Sequence, residues 1–335
     1  MVQSRPTIRC LAAWLPLLLL AGSGGLGPRP ARAGAPPPEP HAASQADLAP
    51  RSLRTVSILD RECLERAGIR RPERLAYAPN GVLYVLDAGM RRVVALDPAG
   101  RALVTVGGYG ADDASLQVPV DLGIDRRGSL LVLDRARGAL IAYDRDGRFL
   151  TARAFEDAAA EEARAPGARF LSDRFGALWL LAPVSRDLVP LDTHLSPARV
   201  ARFLAPEDSV RAIRLGVFLP SGEVWIYDEG AGALRRFGAG GFHIATISLA
   251  DSTAGLAASD LAADGSGALY LADPAGQRIR VYDPAGRLLS ERVLGGEVSG
   301  WHPTSLALGP EGRLAVADAD RDEIQLLQIE RGPAR

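Results

Sequence analysis

Arg74, Asp121, Arg169, Asp260 and Ser305 share a position: each stands seven residues before a glycine of a repeated phrase, at Gly81, Gly128, Gly176, Gly267 and Gly312. Before Gly222 the same place holds Leu215, with Arg214 beside it, and His302 lies three residues ahead of Ser305. A guanidinium grips a carboxylate or phosphate with two parallel hydrogen bonds, and a carboxylate accepts from ammonium or amide donors. Side chains of both signs brought to one rim could therefore orient a small polar ligand, a peptide or a protein. The same residues could instead pair with each other and with nearby loops, serving only the fold. Their types and spacing leave both readings open.

Other chemistry is poorly supplied. Asp87, Asp134, Asp228, Asp273 and Asp318 close the repeated phrase, one per unit. Spread around a ring they cannot converge on one ion, whereas an Asp at a turn accepts from the backbone N–H groups of that turn. The run Asp318-Ala319-Asp320-Arg321-Asp322-Glu323 imitates a calcium loop, but Glu323 replaces the sharp-turn glycine and Ile329 the bidentate Glu. Tyr84, Trp179, Trp225 and Tyr270 sit at the buried phase of their strands and read as core rather than as stacking platforms. His194 and His243 fall on outer strands, and His302 alone of the three precedes an inner one. Cys63 has no His or Asn partner nearby and reads as a small buried hydrophobe. No G-x-S-x-G or H-E-x-x-H pattern occurs, and neither glycine run leads into a helix that could cradle phosphate. The reading is of no catalytic set, no metal and no cofactor.

The elements that must position the rim follow from the repeat itself. GVLYVLD (81–87) returns as GSLLVLD (128–134), GEVWIYD (222–228), GALYLAD (267–273) and GRLAVAD (312–318), with a degenerate GALWLLA at 176–182. Successive glycines are 45 to 48 residues apart, a period of strand-rich units that belongs to propeller blades. The first unit resolves into four strand-like pieces at 74–78, 82–86, 93–97 and 102–106, parted by Gly, Asn and Pro turns. A charged, alanine-rich insert at 156–165 reads as a helical excursion on the surface. The sixth unit has material for three strands only, and residues 54–59 are left over at the front. An N-terminal strand that completes the last blade removes an exposed edge and ties the two ends of the chain together. The expected fold is all-β, a six-bladed propeller of four-stranded blades spanning 51–330, with a short tail at 331–335.

Segments 81–100, 128–147 and 267–286 (GALYLADPAGQRIRVYDPAG) resemble NHL repeats, whose theme is a glycine, an aromatic strand, Asp, a turn, then Arg-Val-x-x-Phe/Tyr-Asp. The resemblance covers 51–330, is close in units one, two and five, and weakest in unit three. It implies a platform for protein, peptide or nucleic-acid recognition, while some six-bladed relatives are lactonases or metal-using lyases. The lactonases need Glu, Asp and Asn near the axis, and the one Asn of this chain, Asn80, lies in an inter-strand turn.

A net charge of −1 creates no field to gather nucleic acid or anionic lipid, so neither is expected as a partner. Arg5 and Arg9 precede an apolar run at 10–21, followed by Ala31-Arg32-Ala33, the three-part pattern of a signal peptide over 1–33. The run is short for a membrane span and Pro16 interrupts it; an uncleaved anchor is the alternative. Residues 34–50, rich in Pro and Ala, read as a disordered tether. Together these indicate a secreted or periplasmic, monomeric binding module without catalysis, taking a protein, a peptide or a small polar ligand at the channel mouth. The alternative is a hydrolase or lactonase of the six-bladed superfamily.

Overall fold

The computed structural model describes residues 51–173, 175–192, 204, 210–249, 258–294 and 300–332; the expected leader and tether lie outside them. Its twenty-three strands form six antiparallel sheets. β1 (Arg51–Leu59) comes first. Blade 1 is β2 (Pro72–Tyr77), β3 (Leu83–Asp87), β4 (Arg92–Leu96) and β5 (Ala102–Gly107). Blade 2 is β6 (Pro119–Ile124), β7 (Leu130–Asp134), β8 (Ala139–Tyr143) and β9 (Phe149–Ala154). Blade 3 has three described strands, β10 (Arg169–Ser172), β11 (Leu178–Ala182) and β12 (Asp187–Pro190). Blade 4 is β13 (Ile213–Phe218), β14 (Val224–Asp228), β15 (Ala233–Phe237) and β16 (His243–Ser248). Blade 5 is β17 (Asp260–Ala263), β18 (Leu269–Asp273), β19 (Arg278–Tyr282) and β20 (Leu288–Val293). Blade 6 is β21 (Ser305–Leu308), β22 (Arg313–Asp318) and β23 (Glu323–Arg331), completed by β1.

The first strand of each blade neighbours the first strand of the next, and β21 returns to β2, so the inner strands close a ring. The fold is a six-bladed β-propeller. The second strand of each blade is apolar at nearly every position because both its faces are covered. Val85 joins a core shared with blade 6, while Tyr84 and Leu86 join one shared with blade 2. Six such cores lie between consecutive blades. A period of two with apolar residues in both phases reads as a continuous hydrophobic run.

The closing strand is three residues longer than expected. β1 pairs with β23 from Arg51↔Arg331 to Leu59↔Ile324, with an irregularity between Thr55 and Ser57. Arg331 therefore ends the last strand rather than beginning a tail. Leu53 and Leu59 face inward, and Arg51 is buried, donating to Asp264, to Ser266 and to the Tyr270 hydroxyl (3.0 Å) of blade 5.

Among the described residues two α-helices interrupt the strands. α1 (Arg61–Arg66) buries Leu64 and half-buries Cys63 against blades 6 and 1, where Asp60 caps it through the Cys63 N–H (2.9 Å). α2 (Asp157–Arg164) is the charged insert, and it is no mere surface excursion. Ala160, Glu162 and Ala163 are buried, the alanines in the core between blades 2 and 3. Small residues at helical spacing let the helix lie close to the sheet while its charged face stays in water.

Candidate functional site

The inner strand is the edge of each blade, so its axis-facing N–H and C=O groups have no partner strand. Side chains at the strand entrances fill this gap across blade boundaries. Asp121 accepts from the Phe170 N–H (2.7 Å), linking blade 2 to blade 3. Asp260 accepts from the Leu306 N–H (2.8 Å), and the Ser305 hydroxyl accepts from the Leu75 N–H (3.2 Å). Arg74 Nη1 donates back to the Thr304 carbonyl (3.0 Å) as well as to that of Glu73 (2.9 Å).

These side chains converge. Arg74, Asp121, Arg169, Asp260 and Ser305 line one axial cavity of about 130 Å³, together with Leu215 and Gly216 of blade 4 and the residues that follow each entrance. Inside it the ring divides in two. Arg169 reaches past blade 4 to blade 5, donating to Asp260 (3.4 Å) and to the Ser259 carbonyl (3.1 Å). Ser305 also donates to Asp260 (2.8 Å), so that carboxylate is filled. Arg74 forms no ion pair among the described residues, its buried Nε has no acceptor, and no hydrogen bond is made by Nη2. Among the described residues Asp121 has a single donor, the Phe170 N–H, on Oδ2.

The electrostatics agree with that division. Burial, reinforced by the like charge of Arg169, holds the Arg74 guanidinium down to about 10. Burial pushes the Asp121 carboxyl above the ordinary carboxylate range, outweighing the attraction of Arg169 and Arg74. Two charges near enough to influence each other are thus held in a poorly solvated place without contact.

Two residues expected at the mouth are elsewhere. β13 is irregular between Ile213 and Leu215, and Leu215 takes the inward place that Arg74 and Asp121 hold after the same irregularity in β2 and β6. Arg214 is turned to solvent and meets Glu229 at 3.5 Å. His302 is exposed; its backbone N–H donates to Asp318 (2.7 Å) and its ring lies 3.9 Å from Asp320. Neither lines the cavity.

Asp87, Asp134, Asp228 and Asp318 hold the loops that lead into the mouth. Asp134 accepts from Gln117 and Val118, just before β6, and from Arg137 in its own turn. Asp87 does the same with Arg70, Arg71 and Met90, and Asp228 with Arg211 and Ala212. Capping of each Asp's own turn follows from the sequence, whereas the loop contacts do not. Their donors are backbone groups 16 or 17 residues upstream, which no residue type announces. Blade 3 has Ala182 at this place, and a side chain from α2 substitutes. Buried Glu162 accepts from the N–H groups of Val184 (2.8 Å) and Ser185 (2.6 Å).

A larger cavity of about 550 Å³ lies between blades 5 and 6, at the opposite ends of β17 and β21, bordered by Asp264, Glu311 and Arg331. Asp264 is occupied there by Arg51, Ser266 and Tyr270, and Glu311 lies 3.9 Å from Arg313. Among the described residues no cluster of three His, Cys, Asp or Glu side chains could hold a metal ion, and no helix is long and apolar enough to cross a membrane.

By sequence the chain matches no protein-family model and no curated protein. In structure it is similar to a gluconolactonase from Xanthomonas campestris, at 16% identity and a TM-score of 0.57, covering 84% of this chain and 97% of that one. Virginiamycin B lyase from Staphylococcus aureus superposes with a TM-score of 0.57 at 9% identity, over 83% and 99% of the two chains. The β-propeller domain of Cps50 (Swd1) from Myceliophteria thermophila gives 0.58 at 11% identity, over 83% and 100%. Likeness at these identities establishes the fold and leaves activity to the site.

Proposed function

We propose that this chain is an exported, non-catalytic binding module of the NHL-repeat kind that recognises its ligand, a small polar molecule or an end of a peptide or protein, at the axial mouth. One observation carries the reading: Arg74 is a half-buried cation on the axial cavity with no carboxylate partner among the described residues. A half-buried charge without a counter-ion is poorly compensated, and a fold that retains one gains when a ligand completes it. Export rests on the signal pattern of residues 1–33, and N-terminal sequencing of the exported protein should find a start near Gly34.

The test of the mouth is thermal melting of the wild type and Arg74→Gln, each with and without small polar metabolites and short peptides. Stabilisation of the wild type that disappears in the variant supports the reading. A wild type indifferent to every compound, with a variant that melts like it, would remove its support.

A hydrolase or lyase acting from the same mouth is the second reading. Asp121 favours it, because a buried carboxyl with a raised pKa beside a cation is an ingredient of acid–base catalysis. The chain also shares its fold with a gluconolactonase and a lyase. Turnover of a lactone panel by the wild type, abolished in Asp121→Asn, would decide for the enzyme.

A further inference from the structure

The mouth offers two unfilled groups of opposite sign. Arg74 uses Nη1 on two backbone carbonyls and leaves Nη2 without an acceptor, while Asp121 uses Oδ2 on the Phe170 N–H and leaves Oδ1 without a donor. Both residues line the same cavity, yet no nitrogen of Arg74 comes within 4.0 Å of the Asp121 carboxylate. The other charged members of the ring, Arg169 and Asp260, are spent on each other and on Ser259, Ser305 and Leu306.

This pattern discriminates between ligand charges. A simple anion would satisfy Arg74 but set a second negative charge beside the unfilled oxygen of Asp121. A simple cation would reverse the conflict. A molecule carrying both an ammonium and a carboxylate completes both groups and adds no net charge to a poorly solvated place. Size narrows the class further. A cavity of about 130 Å³ is compact, which favours the smaller members of such a class.

Resting on the reading of the mouth as a binding site, we propose that the axial cavity is a subsite for a small zwitterion of the α-amino-acid class. The ammonium donates to Asp121 Oδ1 and the carboxylate accepts from Arg74 Nη2. Glycine and alanine, the smallest members of the class, are the natural probes of so compact a cavity.

Titration calorimetry of the full chain with glycine, L-alanine, acetate, methylammonium, glycinamide and N-acetylglycine tests this. Saturable one-to-one binding of glycine or alanine is expected, at least tenfold tighter than that of any compound with only one of the two charges. Arg74→Gln and Asp121→Asn should each weaken it tenfold or more while the circular dichroism stays that of the folded protein. If Arg74→Gln does not fold, Arg74→Lys, which keeps the charge and loses the fork, should give an intermediate loss. Acetate binding as tightly as glycine, untouched by Asp121→Asn, would overturn the zwitterion and leave the mouth as an anion site. No binding of any of the six, with Arg74→Gln melting like the wild type, would overturn both the zwitterion and the mouth.

Discussion

Asp134 and Asp121 belong to the same blade, both are buried, and their surroundings differ in kind. Both oxygens of Asp134 are taken, Oδ1 by Val118 and Arg137 and Oδ2 by Gln117. Asp121 has one donor and an open oxygen facing a cavity. The first is a carboxylate completed by its own chain, and the second is half-completed. The contrast separates carboxylates that hold the fold from those that present something to a ligand, and it runs through the whole ring. Asp87, Asp228 and Asp318 fall on the first side, and Asp260 with Arg169 joins them at the mouth itself. Arg74 and Asp121 remain on the second.

Breaking the contrast at its strongest point means removing Asp134. Asp134→Ala leaves three backbone N–H groups without their acceptor, each costing about 1–3 kcal/mol, so a loss upward of about 4 kcal/mol is expected in urea unfolding. A loss below about 1 kcal/mol, the range of an ordinary surface change, would mean the loop does not depend on this carboxylate. At the mouth, Arg169→Ala breaks a pair whose side chains keep only 11% and 14% exposure, and should cost about 3 kcal/mol. Arg74→Ala removes a cation that has no counter-ion and should cost clearly less. Equal losses at the two arginines would erase the division of the ring. Smaller again is Glu162→Ala, which releases two donors in blade 3 and should cost about 2 kcal/mol. Hydrogen exchange should then speed up at Val184 and Ser185 before it does at Asp134; uniform acceleration would argue against a local substitute for the missing Asp.

How much of this the sequence announces depends on whether the partner is a residue or a backbone group. The blades, the closing strand and five mouth residues follow from one repeated phrase, because a fixed distance from the turn glycine fixes the place on the inner strand. The rule misleads where a neighbour was added to it. Arg214 precedes Leu215 by one, and in a strand one step reverses the side chain's direction. His302 lies on the loop ahead of β21, held by Asp318 rather than by the inner-strand register. The loop contacts of Asp87 and Asp134 could not be read, since their donors are amides. Glu162 could not be read either, because it enters from an insert outside the repeat and replaces a residue that blade 3 lacks.

The finest test of the contrast is the pH dependence of Asp121. Its carboxyl is raised in the folded protein, chiefly by burial, while in the unfolded chain it titrates near the ordinary 3.8. Below that value both states carry the proton and the residue contributes no difference. As pH rises past it, the unfolded chain ionises first and the folded protein still holds its proton, so stability falls with pH until the folded pKa is passed. Above that the penalty stays constant. Asp121→Asn keeps an oxygen for the Phe170 N–H and has nothing to ionise, so it escapes this penalty. The other charged groups facing the site are Arg74, Arg169 and Asp260, present in both proteins. Measured as the difference between variant and wild type, stability should shift in favour of Asp121→Asn as pH is raised from about 4 toward neutrality, by about 1.4 kcal/mol for each unit by which the folded pKa is raised. A flat difference for Asp121, or one that turns against the variant as pH rises, would mean that burial does not hold its proton and would leave Arg74 as the one open group at the mouth.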